Sequence, residues 1–216
     1  MKVMILAAGR GQRMGALTTD CPKPLLKVSG LSLIEHVVKA LKRDGFKEFV
    51  INVAYLGNQI KQYMGSGEKW GVHIDYSDEG DAPLETGGGV QRALPLLGNE
   101  PFLLVNADVW TDFPFQTLRN KTKKRAHLVL VDNPSHNLNG DFFLLKNEVT
   151  AQGKTAYTYS GIGVYHPDFF AGQSAGAFRL APLIRQAVLE NDVSGELYQG
   201  CWVDVGTPER LASIQQ

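Results

Sequence analysis

The stretch Leu6-Ala7-Ala8-Gly9-Arg10-Gly11-Gln12-Arg13-Met14-Gly15 places three glycines and two alanines where the chain leaves an apolar run. Small residues let the backbone approach a ligand and aim successive N–H groups into one concavity, a nest for anions. Arg13 adds a planar fork that matches phosphate oxygens. Two familiar phosphate loops do not fit. The dinucleotide pattern G-x-G-x-x-G fails because Met14 holds the last glycine position, and a P-loop lysine follows glycine, whereas Lys23 lies between Pro22 and Pro24. Prolines on both sides stiffen the backbone and reduce the entropy lost in positioning the lysine. An ammonium held beside a phosphate nest can neutralise charge on a transferring phosphoryl group.

Two further features carry chemistry. Asp108 follows Phe102-Leu103-Leu104-Val105, and Asp204 follows Trp202-Val203. Two carboxylates at the carboxyl edge of one sheet can share Mg²⁺, which also takes phosphate oxygens. Glu85-Thr86-Gly87-Gly88-Gly89 opens a helix with a close-approach loop suited to a flat nucleobase lying against backbone. Each feature also has a plain structural reading. A glycine-rich turn can simply connect strand to helix, Pro-Lys-Pro can be a solvated turn, and Asp204 stands just upstream of Thr207, a good helix N-cap before Pro208.

The elements that position these residues alternate between strand and helix. Lys2 to Leu6 and Glu48 to Val53 read as strands buried on both faces. Between them, Ser32-Leu33-Ile34-Glu35 is a capping box, followed by Val37, Val38 and Leu41 at helical spacing up to Gly45. A helix over Leu56 to Met64, a strand near His73 to Ser77, a helix over Gly89 to Leu97 and the strand Phe102 to Val105 continue the rhythm. This order predicts a mostly parallel sheet with helices on both faces, and ligands at the carboxyl ends of its strands. The second half reads as more antiparallel: strands at His127 to Val131, Asp141 to Leu145 after an Asn139-Gly140 hairpin signal, and Tyr157 to Tyr165. Helices at His166 to Phe170 and Leu180 to Glu190 follow, then a short strand at Cys201 to Val203. The expected organisation is one domain over residues 1–216, with a mostly parallel half to about 110 and an antiparallel, substrate-facing half over about 111–216.

Composition limits the function. Hydrophobic residues make up 44% of the 216-residue chain, so a packed core is expected and wholesale disorder is not. The 22 basic residues balance 22 acidic ones. No global field holds nucleic acid or an anionic membrane, and any anion must be bound by a local arrangement of donors. The longest apolar stretch, Val3 to Ala8, falls far short of the roughly 18 residues that span a bilayer. Cys21 and Cys201 lie far apart and form neither a metal spacing nor a disulfide framework, which points to reduced thiols in the cytoplasm.

Taken together, the Gly-rich loop, Arg13, Pro22-Lys23-Pro24-Leu25, Thr86-Gly87-Gly88, Asn106-Ala107-Asp108 and Val203-Asp204-Val205-Gly206-Thr207-Pro208 resemble the sugar-1-phosphate nucleotidylyltransferase family along the whole chain. Within it, Leu84 to Gly89, Leu103 to Asp112, His127 to Pro134, Gly140-Asp141-Phe142, Tyr159-Ser160-Gly161 and Gly176 to Ala187 look most like the short bacterial uridylyltransferases of cell-wall (peptidoglycan) recycling, which act on N-acetylmuramate α-1-phosphate. The resemblance implies a Rossmann-like α/β nucleotidyltransferase fold without a carboxy-terminal β-helix. It implies UTP and a sugar-1-phosphate as partners, Mg²⁺ as cofactor, and a monomer or weak dimer. Ala7, Ala8, Gly9, Gly11 and Gln12 would lie against the nucleotide, with Arg13 on its β- and γ-phosphates and Lys23 on the α-phosphate. Glu79, Glu85, Thr86 and Gly87 would read the base. Asp108 and Asp204 would bind the metal, and Asn106, Asp141, Ser160 and Gly161 would line the sugar pocket. The attacking sugar phosphate is already anionic, so no general base is needed, and the five histidines read as structural or solvated.

The chain departs from the family in carrying Gly15 and Ala16 where members usually have a basic residue and a proline, and Glu85 where a glycine is frequent. A guanylyl- or thymidylyltransferase acting on mannose- or glucose-1-phosphate is the alternative on the same scaffold, and a nucleotide-sensing module is the non-enzymatic one. A nicotinamide-dependent oxidoreductase accounts for the Gly-rich turn alone.

Overall fold

The computed structural model describes residues 1–80, 83–121 and 123–215. In chain order the strands are β1 (Val3–Leu6), β2 (Lys27–Val28), β3 (Leu31–Ser32), β4 (Glu48–Val53), β5 (His73–Asp78), β6 (Phe102–Asn106), β7 (Val109–Thr111), β8 (Ala126–Val131), β9 (Phe142–Leu145), β10 (Glu148–Thr150), β11 (Ala156–Tyr165), β12 (Val193–Tyr198) and β13 (Trp202–Asp204). The α-helices are α1 (Leu33–Arg43), α2 (Gly57–Met64), α3 (Glu85–Leu97), α4 (Leu180–Leu189) and α5 (Pro208–Ser213). Short 3₁₀ turns cover Gln12–Thr18, Lys23–Leu25 and Pro167–Phe170, among others.

Nine strands form one sheet in the order β5-β4-β1-β6-β11-β8-β12-β10-β9. The first four run parallel, and β1 lies between β4 and β6. The crossovers therefore leave β1 in opposite directions, and a crevice opens beyond its carboxyl end, where open α/β sheets bind ligands. β11 is antiparallel to both β6 and β8, whereas β12 is parallel to β8. A separate two-stranded ribbon pairs β7 with β13.

Strand residues alternate between two apolar layers, as the period of two requires. Val3 and Ile5 pack with Ile34, Val38 and Leu41 of α1 and Ile60 of α2 on one face. Met4, Leu104 and Leu128 pack with Val90 of α3 and Ile184 of α4 on the other. A third cluster joins Met14, Val28, Leu33, Val205 and Leu211, fastening the Gly-rich loop to the start of α1 and to α5.

Local signals account for α1. The Ser32 hydroxyl accepts the Glu35 N–H at 3.3 Å, and the Glu35 carboxylate accepts the Ser32 N–H at 2.7 Å. At its far end, Phe46 N–H donates to Leu41 O at 3.0 Å and Gly45 N–H to Lys42 O at 2.9 Å, a Schellman closure.

Several elements differ from expectation. α3 begins at Glu85 rather than Gly89. The Asn139-Gly140 pair makes no two-strand hairpin: Gly140 N–H donates to Asn137 O at 3.1 Å in a run of turns, and β9 pairs with β10 and β11 rather than β8. β12 fell outside the expected strands because Ser194, Gly195 and Glu196 interrupt its apolar pattern. Asp204 ends the small ribbon, not a strand of the main sheet. Among the described residues no helix is long and apolar enough to cross a membrane.

Candidate active site

A cleft of 810 Å³ opens at the carboxyl ends of β1, β4 and β6. Ala7, Ala8, Gly9, Gly11, Gln12, Arg13 and Lys23 line one side. Asn52, Glu79, Glu85 and Thr86 line another, and Asn106, Asp108 and Gly206 close it. Residues expected from distant motifs thus meet in one place.

The Gly-rich loop is shaped by backbone no other residue adopts easily. Gly11 has φ 64° and ψ 31°, and a Cβ there would lie 3.0 Å from Lys23 Cβ and 3.2 Å from Thr18 Cγ2. The loop therefore closes directly on the stem of Lys23. Gly15 has φ 58° and ψ −133°, a conformation essentially reserved for glycine, which explains why no basic residue stands there. At the other end of the loop, the buried Ala7 N–H donates to Asn52 Oδ1 at 2.8 Å.

Lys23 sits in the Pro-Lys-Pro turn, with Leu25 N–H bonded to Pro22 O at 2.8 Å. Its ammonium pairs with Asp108 Oδ2. The lysine side chain is 12% exposed and the aspartate 23%. The ribbon brings the second aspartate alongside: Asp204 is the register partner of Val109, and Val205 N–H donates to Asp108 O at 2.9 Å. The Asp204 carboxylate, however, turns to Arg210 and lies 3.1 Å from His136 Nε2. Oxygen donors of this kind suit Mg²⁺, which is commonly held by one or two carboxylates plus phosphate oxygens. The described residues contain no group of three metal-ligating side chains.

Three arginines add positive charge. Arg10 stacks over Tyr55 at 4.8 Å, and Arg13 and Arg210 both reach Gly206, where a Cβ would lie 3.2 Å from Arg13 Nη2. The ribbon behind them is tied by Asp112, which accepts hydrogen bonds from Tyr198 and, at 2.8 Å, from Cys201 N–H. The Tyr198 hydrogen bond holds the Asp112 carboxyl below its ordinary range, and burial together with that bond pushes Tyr198 up to about 12.

The base-side segment differs from a free backbone platform. Gly87 and Gly88 N–H donate to Phe178 O at 2.9 and 3.1 Å, and Phe178 N–H returns to Leu84 O at 3.1 Å. A Cβ on Gly87 would fall within 3.0 Å of the Phe178 ring. These glycines accommodate the 176–178 loop, leaving Glu85 and Thr86 toward the cleft. Glu85 has φ 58° and lies 3.4 Å from Arg179. Glu79 is 7% exposed, and both its oxygens are engaged, by Asn52 Nδ2 at 2.6 Å and Leu84 N–H at 2.9 Å.

The four sugar-side residues divide. Asn106 faces the cleft and lies against Gly161, whose φ of 77° leaves no room for a side chain. Ser160 is 1% exposed, with its hydroxyl donating to Val129 O at 2.7 Å and accepting Ile162 N–H at 3.2 Å. Asp141 accepts Tyr159 N–H at 2.8 Å. Both brace the bulge between Tyr159 and Ile162 that turns Gly161 toward Asn106. Beneath it the hydroxyls of Tyr159 and Tyr165 meet at 3.0 Å, and burial raises both above the ordinary tyrosine value.

Sequence reasoning missed Asn52, His136, Phe178 and Arg210. Asn52 had a signal, a lone amide within an otherwise apolar buried strand. Arg210 sits one turn beyond the Thr207 cap. Nothing local marks His136 or Phe178.

Comparison with known proteins adds the following. The family described as nucleotidyl transferase matches residues 2–146. An N-acetylmuramate alpha-1-phosphate uridylyltransferase of Neisseria meningitidis serogroup B is 49% identical over 224 aligned residues, covering 100% of this chain and 97% of that protein. A protein of the same name from Caulobacter vibrioides is 31% identical and covers 95% of this chain and 92% of its own. Among solved structures, HddC from Yersinia pseudotuberculosis complexed with GMP-PN superposes with a TM-score of 0.80 at 18% identity, covering 99% of this chain and 97% of that one.

Proposed function

The chain belongs to the nucleotidyl transferase family, and from that premise we propose that it transfers the uridylyl group of UTP to N-acetylmuramate α-1-phosphate, releasing pyrophosphate and forming UDP-N-acetylmuramate. The observation that carries this reading is the identity to the Neisseria uridylyltransferase over the whole length of both chains. The reaction belongs in the cytoplasm, in peptidoglycan recycling. Residues to about 110 hold the nucleotide, and those over about 111–216 hold the sugar phosphate.

In this reading a phosphate oxygen of the sugar-1-phosphate attacks the α-phosphorus of UTP in line as pyrophosphate leaves. The attacking oxygen carries its own charge, so the work falls to alignment and to screening two repelling anions. The Ala7–Gln12 backbone cradles the triphosphate, Arg13 meets its β- and γ-phosphates, and Lys23 neutralises charge at the α-phosphate. Glu85 and Thr86 face the base, and Asn106, held by Gly161, faces the sugar. Asp141 and Ser160 act through the bulge that sets Gly161. Asp108 and Asp204 would hold Mg²⁺, which would supply charge neutralisation and orient phosphate oxygens.

The test is pyrophosphate release with Mg²⁺, crossing UTP, dTTP, CTP, ATP and GTP against N-acetylmuramate-, N-acetylglucosamine-, glucose- and mannose-1-phosphate. A dominant signal for UTP with N-acetylmuramate-1-phosphate is expected. A dominant signal for GTP with mannose-1-phosphate, or for dTTP with glucose-1-phosphate, would replace the substrates and keep the reaction. Silence across the grid would leave a nucleotide-sensing module.

A further inference from the structure

We infer that Asn52 is a positioning residue for nucleotide recognition, coupling the phosphate loop to the base-side segment through Glu79. The inference rests on the nucleotidyl-transfer reading of the cleft. It concerns a strand residue that no motif selects.

Asn52 is the penultimate residue of β4, within its buried run, and is 3% exposed. Its carbonyl Oδ1 accepts the buried Ala7 N–H at 2.8 Å, and its Nδ2 donates to Glu79 Oε1 at 2.6 Å. Glu79 Oε2 then accepts Leu84 N–H at 2.9 Å. The chain of bonds starts where β1 enters the Gly-rich loop, crosses β4 and the end of β5, and finishes one residue before Glu85. Register explains its span: Leu6 is the partner of Asn52, and Asn52 that of Ser77.

The polarity is fixed from both ends. Backbone N–H groups of Ala7 and Leu84 can only donate, so each terminus of the side-chain pair must present an acceptor. Between them one side chain must donate to the other. An amide at 52 and a carboxylate at 79 meet that requirement with every group satisfied. Two carboxylates set acceptor against acceptor, and a glutamine at 79 beside Asn52 leaves one donor facing a donor. Space is kept for the pair: a Cβ on Gly89 of α3 would lie 2.9 Å from Asn52 Nδ2 and under 3.0 Å from Glu79 Oε1. Glycine inside a helix is disfavoured against alanine, so this position trades local propensity for close approach.

Both oxygens of Glu79 are therefore engaged within the protein, and its effect on the base passes through Leu84 into Glu85, whose φ of 58° needs support from its surroundings. Asn52 fixes the separation between the triphosphate nest and the base contacts. That separation discriminates a whole nucleotide from its parts.

The experiment is a reciprocal exchange in the full chain: Asn52→Asp, Glu79→Gln, and the two together. In the double variant the new amide at 79 donates to the new carboxylate at 52, and both backbone donors keep acceptors. Each single variant should raise KM for UTP by about tenfold, the scale of one charge-assisted hydrogen bond, with kcat and the sugar-phosphate KM within about twofold. The double variant should return to within about threefold of the parent KM. Two kinetic results overturn the inference: single variants with unchanged KM, or a double variant showing the product of the single effects, which would mean that the Glu79 carboxylate touches the base itself. Amide hydrogen exchange at Ala7 and Leu84 supplies an activity-free readout. Protection at both should fall in each single variant and return in the double, and full protection in the single variants would sink the coupling. If the parent turns over no nucleotide, the functional reading falls, and the exchange pattern still decides the coupling.

Discussion

Removing the Lys23 ammonium separates charge stabilisation from metal binding. Lys23→Ala deletes a side chain that is 12% exposed and takes the only cation that, among the described residues, pairs with the Asp108 carboxylate, itself 23% exposed. The pair lies between a surface ion pair, worth about 0–1 kcal/mol, and a buried one, whose disruption costs about 3–5 kcal/mol. A loss of about 1–3 kcal/mol is expected, lowering Tm by roughly 3–10 °C for a chain of this size. At 25 °C the variant remains folded, and the catalytic effect can be read alone. Losing one preorganised donor at developing charge should lower kcat by about 10²–10³. Asp108 gains freedom at the same time, so the Mg²⁺ concentration for half-maximal rate should hold steady or fall. The assay is pyrophosphate release at saturating UTP and N-acetylmuramate-1-phosphate across a Mg²⁺ titration. Near-normal kcat would refute the assignment of Lys23 to the transferring phosphate. A fall in kcat with a parallel rise in the Mg²⁺ requirement would show instead that the lysine only keeps Asp108 in place.

The aspartates give the complementary pattern. Asp108→Asn and Asp204→Asn should each raise the half-maximal Mg²⁺ by about tenfold or more, and an unmoved titration curve in both would remove the shared-metal arrangement. Two glycines separate packing from binding. Gly87→Ala drives a Cβ into the Phe178 ring and should cost about 1–3 kcal/mol by thermal unfolding, whereas Gly9→Ala meets nothing within 4 Å and should leave Tm unchanged while raising KM for UTP. Equal Tm losses would contradict the packing. Acid stability tests the capping box. Burial alone would raise the Glu35 carboxyl, but hydrogen bonds from Tyr63 and from the Ser32 N–H and hydroxyl outweigh it and hold the group below its ordinary 4.5. A depressed carboxyl stabilises the fold fully above its unfolded value, and that contribution disappears as pH falls through the folded one. Glu35→Gln should flatten the urea midpoint between about pH 5 and 3. A parent curve already flat there would show that Glu35 has no such role.

Features carried by neighbours in sequence were legible, and those made by distant partners were not. The Ser32–Glu35 box, the β4 run and the Thr207-Pro208 start of α5 are local, and each appears where its residues place it. β12 has no local pattern. It becomes a strand because β8 offers a parallel edge from Ala126 to Val131. The same division holds in the cleft. Arg13, Lys23 and Asp108 carry signatures in their own turns, and the fold brings them together at the crevice beside β1. Gly87 and Gly88 looked like a ligand platform because an open glycine pair and one filled by a remote Phe178 have the same sequence. Ser160 and Asp141 carried polar side chains toward an expected sugar pocket, but the Ser160 hydroxyl donates to Val129 O and an Asp141 oxygen accepts the Tyr159 N–H beside the bulge in β11. Bulges depend on strand pairing, and no single strand announces one.

Charge ties the cleft to its proposed chemistry. Among the described residues lining it, Arg10, Arg13 and Lys23 face Glu79, Glu85 and Asp108, so the site is as neutral as the chain. A neutral lining is a poor trap for a nucleoside triphosphate beside a sugar phosphate, since the like charges of the two ligands add. Each acid, however, already has a partner: Glu79 the Asn52 amide and Leu84 N–H, Glu85 the Arg179 guanidinium, Asp108 the Lys23 ammonium. Only the last couples two groups to which the proposed reaction assigns roles. Lys23 can turn from Asp108 to a phosphate without stranding a carboxylate only when another cation takes its place there. In the proposed reaction a divalent cation held by Asp108 would supply that replacement charge and leave the Lys23 ammonium to a phosphate, whereas metal-free UTP would have to break the pair unaided. The proposal therefore expects the metal complex of UTP to turn over and excess Mg²⁺-free UTP to compete weakly with it.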